Sequence, residues 1–119
     1  MRVEVITTGT ELLLGEIVNE NFVYLAQELN SRGFDVLYQT TVGDNPERLR
    51  EALRIAAGRA DLVVTSGGLG PTRGDITKEE VAAYCGVPLL MNLEVWNHIQ
   101  ELLTRRHGCP TKNNDKQAM

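Results

Sequence analysis

The sequence predicts an α/β protein built on a mostly parallel sheet with helices covering both faces. Three observations carry that reading. Short β-branched runs alternate three times with helical periodicities, and parallel neighbours need a crossover about a helix long. The predicted helices run into glycines at Gly33, Gly58, Gly86 and Gly108, a residue that ends helices by entering left-handed backbone. An apolar run, Leu62-Val63-Val64, empties into Thr65-Ser66-Gly67-Gly68-Leu69-Gly70-Pro71-Thr72-Arg73-Gly74-Asp75-Ile76-Thr77. A glycine-rich turn between a strand and a helix is how many open sheets build an anion site.

Each element has its own local cause. Arg2 to Thr7 alternates Val3 and Val5 against Glu4 and reads as the first strand. Thr8-Gly9-Thr10-Glu11 closes it, and Leu12 to Val18 reads as a loop with apolar anchors. Asn19 or Asn21 can cap the next helix, whose buried face is Phe22, Leu25, Ala26 and Leu29 at helical spacing. After Gly33, Phe34 to Val42 is rich in β-branched and aromatic residues and reads as a second strand.

Gly43-Asp44 then turns the chain. Asn45-Pro46-Glu47 is a strong helix start: a capping amide, a proline at the first position and an acid near the positive dipole end. Leu49, Ala52, Leu53, Ala56 and Ala57 make its stripe, Gly58 ends it, and Asp61 to Thr65 reads as a third strand. After the glycine-rich turn, Thr77-Lys78-Glu79-Glu80 fits a capping box for a helix running to Cys85. Val87 to Met91 is a brief extended segment. A last helix starts at Asn92, buries Val95, Ile99, Leu102 and Leu103, and ends at Gly108. The polar tail from Thr111 to Met119 lacks periodicity and is expected to be mobile or loosely docked.

The totals narrow the function classes. The 119 residues suffice for one core, and 42% hydrophobic with 24% charged residues is ordinary globular composition. No apolar run approaches a membrane span and no signal peptide is visible, so a cytoplasmic protein without a membrane partner is expected. A net charge of −4 gives no basic footprint for nucleic acid. Cys85 and Cys109 form no disulfide framework, and His107 with Cys109 is too small a set for a zinc site.

The chemistry concentrates at the strand ends. Gly67-Gly68-Leu69-Gly70 lacks the ending of a P-loop and the spacing of a dinucleotide fingerprint. A tight connection alone would explain the glycines. Its place after a strand end, and the hydroxyls of Thr65, Ser66, Thr72 and Thr77, favour a phosphate-binding loop. Asp44 could be a turn residue and Asp75 a helix cap. Both nonetheless follow predicted strand ends, which share one rim in a parallel sheet, so the two carboxylates can converge on Mg²⁺. Glu11 and Glu16 are lesser candidates at the same rim. Arg73 and His98 read as surface and solvated residues, and Trp96 as peripheral core or an oligomer contact.

Thr65-Ser66-Gly67-Gly68-Leu69-Gly70-Pro71-Thr72 with Asp75-Ile76-Thr77 resembles the signature of the MoaB/MogA-like molybdopterin-binding domain. The version with Leu69 and Pro71-Thr72 is most similar to the competence/damage-inducible CinA branch. Thr8-Gly9-Thr10-Glu11-Leu12-Leu13-Leu14-Gly15-Glu16-Ile17-Val18-Asn19, then Asn21, then Thr41-Val42-Gly43-Asp44-Asn45 agree with it. The resemblance implies a three-layer α/β/α fold over residues 1–110, with 111–119 as a tail and the family domain continuing beyond Met119. It implies ligand contacts from Thr8, Gly9, Asn21, Ser66, Gly67, Gly68, Leu69, Gly70, Thr72 and Thr77. It assigns Asp44 and Asp75 to catalysis and metal binding.

In the molybdenum-cofactor relatives the pocket transfers AMP from ATP to molybdopterin with magnesium. In the CinA branch a similar domain is associated with hydrolysis of ADP-ribose using Mg²⁺, Co²⁺ or Mn²⁺, and is usually fused to a C-terminal nicotinamide mononucleotide deamidase domain. Dimers or trimers are expected. CinA-type loops usually carry two acids where this chain has Gly74-Asp75. A non-catalytic nucleotide- or pterin-binding regulatory module is therefore a further reading.

Overall fold

The first strand of the computed structural model, β1 (Arg2–Thr8), is the central one, flanked by β2 (Asp35–Val42) and β3 (Leu62–Ser66) in the order β2-β1-β3. The structure describes residues 1–106, 108 and 112–119. Both pairings are parallel. The helices are α1 (Thr10–Leu13), α2 (Glu20–Ser31), α3 (Pro46–Arg59), α4 (Thr77–Cys85) and α5 (Leu93–Arg105), followed by a 3-10 helix over Lys112–Ala118.

From β1 the chain steps outward to β2, then back past β1 to β3. Right-handed crossovers on those two opposite steps put α2 and α3 on opposite faces, which gives the three expected layers. On the α3 face Ile6 packs into a cluster with Val42, Leu49, Ala52, Leu53 and Ala56. Val3 and Val5, fully buried, point to the other face by strand alternation.

Glu4 shares the Ile6 face and is 1% exposed. Arg59 holds it with two bonds, Nε to Oε2 at 2.8 Å and Nη2 to Oε1 at 2.9 Å, and Thr40 Oγ1 donates to Oε1 at 2.7 Å. The guanidinium also lies 3.8 Å above the centre of the Tyr38 ring. This anchor explains why α3 outlasts the stop expected at Gly58. The helix continues to Arg59, and Ala60 N closes it on Ala56 O at 2.9 Å. At its start Asn45 accepts from Arg48 N at 2.9 Å, with Pro46 at the first position, as expected.

Other expectations are displaced by tertiary partners. Asn19, not Asn21, caps α2, and Thr10–Leu13 is a helical turn rather than loop. Thr77 and Glu80 form no capping box: Ile76 is the cap position, and no side chain caps α4. Thr77 instead donates to Gly67 O at 2.8 Å, while Glu80 receives Arg50 at 3.0 and 3.1 Å. The stripe of α5 is not buried, with Val95 39% and Leu102 40% exposed, because this helix packs on the 3-10 helix rather than on the sheet. The tail is docked rather than loose, since Ala118 is 2% exposed. The expected helix stop at Gly108 lies next to His107 and Cys109, which fall outside the described residues.

At the opposite end of the sheet Arg2 ties β1 to the start of β3. Its backbone N and its Nε reach Asp61 Oδ2 at 2.9 and 3.2 Å, and its Nη2 reaches Oδ1 at 3.1 Å. The side-chain hydrogen bond from Arg2 leads the effects that pull the Asp61 carboxyl down to about 2. Arg2→Ala, which keeps the backbone donor, is expected to bring it part of the way back toward the ordinary carboxylate value of about 4, read by carbon-13 titration of the carboxyl group. Among the described residues no helix is long and apolar enough to cross a membrane.

Candidate functional site

The reversal of direction around β1 leaves a crevice between the C-terminal tips of β1 and β3, the switch point where open α/β sheets bind ligands. Thr7 pairs with Ser66 at those tips. A cavity of about 290 Å³ opens there, lined by Thr7, Thr8, Asn19, Asn21, Ser66, Gly67 and Gly68, with Glu11, Leu12, Ile17, Val18 and Glu20 as its lip.

The start of α2 is pinned over this crevice by one side chain. Asn19 accepts from Phe22 N at 3.2 Å as the helix cap and donates from Nδ2 to Thr7 Oγ1 at 2.9 Å. Asn21 Nδ2 crosses to Ser66 Oγ at 3.4 Å. The floor depends on two glycines. Gly67 and Gly68 have φ of +93° and +68°, left-handed backbone that glycine adopts without penalty. A Cβ on Gly67 would sit 2.3 Å from Thr8 O, and one on Gly68 2.2 Å from Thr77 Oγ1. Thr77, 1% exposed, braces the turn from below: its hydroxyl donates to Gly67 O at 2.8 Å, which leaves its oxygen to accept from Thr8 Oγ1 at 3.2 Å.

The loop then turns back through Asp75. Its Oδ2 accepts from Thr72 N at 2.9 Å and Thr72 Oγ1 at 2.6 Å. Those bonds hold the Asp75 carboxyl below the ordinary carboxylate range, with smaller help from the Gly70 backbone and Lys116 against the cost of burial. Asp44 is exposed at the end of β2, where Oδ2 accepts from Thr10 Oγ1 at 3.3 Å and its backbone N donates to the same hydroxyl at 3.1 Å. A Cβ built on Gly74 would lie 3.5 Å from Asp44 Oδ2. The segment carrying Asp75 thus reaches the Asp44 carboxylate.

The chain as a whole is similar to known proteins. Residues 4–117 match the family model described as "Probable molybdopterin binding domain". The competence-damage inducible protein of Thermoanaerobacter sp. (strain X514) is 52% identical over 118 residues, and the CinA-like protein of Dictyoglomus thermophilum is 48% identical over 118. Each alignment takes 99% of this chain but 29% of the relative, so the chain spans under a third of their length. The crystal structure of CinA from Thermoplasma acidophilum superposes with a TM-score of 0.83 at 33% identity, covering 98% of this chain and 68% of that one.

The chain belongs to the CinA branch of the molybdopterin-binding domain family.

This CinA-type domain also resembles MoaB of Thermus thermophilus, a molybdopterin biosynthesis enzyme. The TM-score is 0.64 at 29% identity, over 69% of this chain and 53% of that one. MogA, at 22% identity and a TM-score of 0.66, shares the fold.

Of the residues expected at the site, the CinA-type domain places Thr8, Asn21, Ser66, Gly67 and Gly68 on the cavity wall. Gly9 is just beyond it, donating to Val42 O at 3.0 Å. Thr72 and Thr77 spend their hydroxyls inside the loop, and a Cβ on Gly70 would meet Asp75 Oδ2 at 2.8 Å, so these three shape the turn. Leu69 turns to a second, more apolar cavity of about 360 Å³ that Thr77 and Cys85 also line. Asp44 and Asp75 are outside the lining of the first cavity. Among the described residues no three His, Cys, Asp or Glu side chains form a metal cluster. Arg73, His98 and Glu16 are exposed and Trp96 is half-buried.

Sequence reasoning missed Thr7 and Glu20 in the cavity lining, and Lys116, whose ammonium reaches the Thr72 and Asp75 carbonyls. Thr7 and Glu20 adjoin predicted site or cap residues, so adjacency was a usable signal. Lys116 offered none, since its segment has no periodicity.

Proposed function

We propose that this domain binds a nucleotide- or pterin-type phosphate ligand between β1 and β3 and, within the longer protein, hydrolyses a pyrophosphate of the ADP-ribose kind. The observation that supports this is a glycine-floored cavity at the switch point, followed by the turn that carries Asp75 and brings Gly74 against Asp44. The cavity wall holds Glu11 and Glu20 but no lysine or arginine. A bound phosphate therefore draws its countercharge from backbone amides and from a divalent cation.

Asp44 and Asp75 fit such a cation. Mg²⁺ takes one or two protein carboxylates and keeps several waters, so a set of two acids suffices. Asp75 is kept ionised by Thr72, and Asp44 is exposed where the loop approaches it. When bound, the cation supplies charge neutralisation and a more acidic water. The chain's own part is to orient: Asn21 and Ser66 offer side-chain hydrogen bonds, and Gly67-Gly68 admit the ligand against the backbone.

In the longer protein, Mg²⁺- or Co²⁺-dependent release of AMP from ADP-ribose is the expected activity. Asp75→Asn is expected to lower that rate by a hundredfold or more, since even outer partners of metal ligands cost roughly 10–100-fold when removed. An unchanged rate would refute the assignment of Asp75. The likeness to MoaB favours a second reading, adenylyl transfer to molybdopterin, which alone predicts an adenylylated pterin from molybdopterin and ATP. Gly74 favours a third, a binding module: nucleotides would then raise the melting temperature with no product formed.

A further inference from the structure

The 3-10 helix carries a lysine into the loop from more than forty positions away. Lys116 is 26% exposed at its side chain, and its ammonium donates to Thr72 O at 2.6 Å and Asp75 O at 2.5 Å. It also lies 3.8 Å from Glu79 Oε1. Two carbonyls and a carboxylate suit a group with three donors and no acceptor. The carbonyls it joins are the two ends of the turn that Asp75 N closes on Thr72 O at 3.1 Å.

The segment delivering this ammonium is itself fixed. Asn92 N donates to Ala118 O at 2.7 Å, and the Lys78 ammonium reaches Lys116 O and, at 3.3 Å, Met119 O. Glu79 Oε2 is buried with no hydrogen-bond donor among the described residues, so Lys116 is the cation that answers this carboxylate. Gly70 precedes the turn and Gly74 lies within it, and neither adds stiffness of its own.

We propose that Lys116 is a positioning residue: from outside the loop it locks the Thr72–Asp75 turn in the shape that sets Gly74 against Asp44 and keeps the Asp75 carboxylate bonded to Thr72. Its consequence for metal binding rests on the function proposed above; the locking does not. The test uses Lys116→Met in the 119-residue chain, with circular dichroism to establish that the fold is kept. Amide exchange at Thr72 and Asp75 is expected to quicken about tenfold, the effect of losing hydrogen bonds from a charged donor. Exchange at Leu53 and Ala56 in α3 should stay as it is. Mn²⁺ affinity, read by electron paramagnetic resonance, is expected to fall about tenfold in parallel.

Glu79→Gln, which leaves Lys116 on both carbonyls, should change neither readout. Lys116→Met combined with Glu79→Gln should behave like Lys116→Met, because the effect comes from the turn and not from a stranded carboxylate. Unchanged exchange in Lys116→Met would overturn the proposal. Faster exchange with unaltered Mn²⁺ affinity would reduce Lys116 to a strut and overturn its positioning role. If the unmodified chain binds no Mn²⁺, the metal reading of the site falls by itself, and exchange alone decides whether Lys116 locks the turn.

Discussion

Gly67→Ala is expected to disable the cavity and destabilise the chain together. Its φ of +93° is left-handed, and holding a residue with a side chain there costs about 1–3 kcal/mol. The added methyl would also meet Thr8 O at 2.3 Å. That oxygen belongs to the central strand, so the loop must move instead, and overpacking of this kind costs about 1–3 kcal/mol more. Movement at Gly67 also pulls on Thr77, whose hydroxyl is bonded to its carbonyl. Urea denaturation should show the summed loss. Calorimetry with ADP-ribose should show that the remaining folded protein no longer binds. Binding at the original affinity would mean the ligand does not use this floor.

Arg59→Ala should produce the largest loss of stability without touching the cavity. Glu4 is 1% exposed and depends on Arg59 for two of its hydrogen bonds. Stranding a buried carboxylate costs about 3–5 kcal/mol; here the low end applies, because Arg59 is 39% exposed and its vacated place admits water. The pH dependence fixes the cause. The hydrogen bonds from Arg59 lead the effects that lower the Glu4 pKa in the folded chain. A group lowered on folding contributes stability that is present above its unfolded value, about 4.3, and lost as pH falls through the folded one. The gap between the two proteins in urea should therefore be full at pH 7 and shrink on acidification. A gap of constant size from neutrality to acid would show that lost packing, not lost charge, is responsible.

Legibility followed the range of each cause. Asn45-Pro46-Glu47 announced α3 because cap, proline and acid act within one helical turn. Gly67-Gly68 announced the cavity floor because positive φ is a local demand. The capping box at Thr77 failed for the converse reason. Its spacing was right, but the hydroxyl had a stronger claim from Gly67 ten residues earlier. Gly58 failed as a stop because the next residue answers a carboxylate 55 positions away. Lys116 was invisible in the same sense, since only the fold brings a terminal lysine to the carbonyls of a distant turn.

The strand order also dictates when a site can exist during synthesis. β1 is made first but pairs only with strands that come 33 and 59 residues later, as Arg2 with Asp35 and Val3 with Leu62. Such distant pairings are slow to form, because loop closure must be met before any contact repays it. The cavity needs the later of the two partners, and its floor needs Thr77 beyond that. A nascent chain of fewer than about 66 residues lacks β3, and one that stops short of Thr77 lacks the brace under the cavity floor. The cavity is thus a late product of assembling these three strands rather than a scaffold for their early pairing.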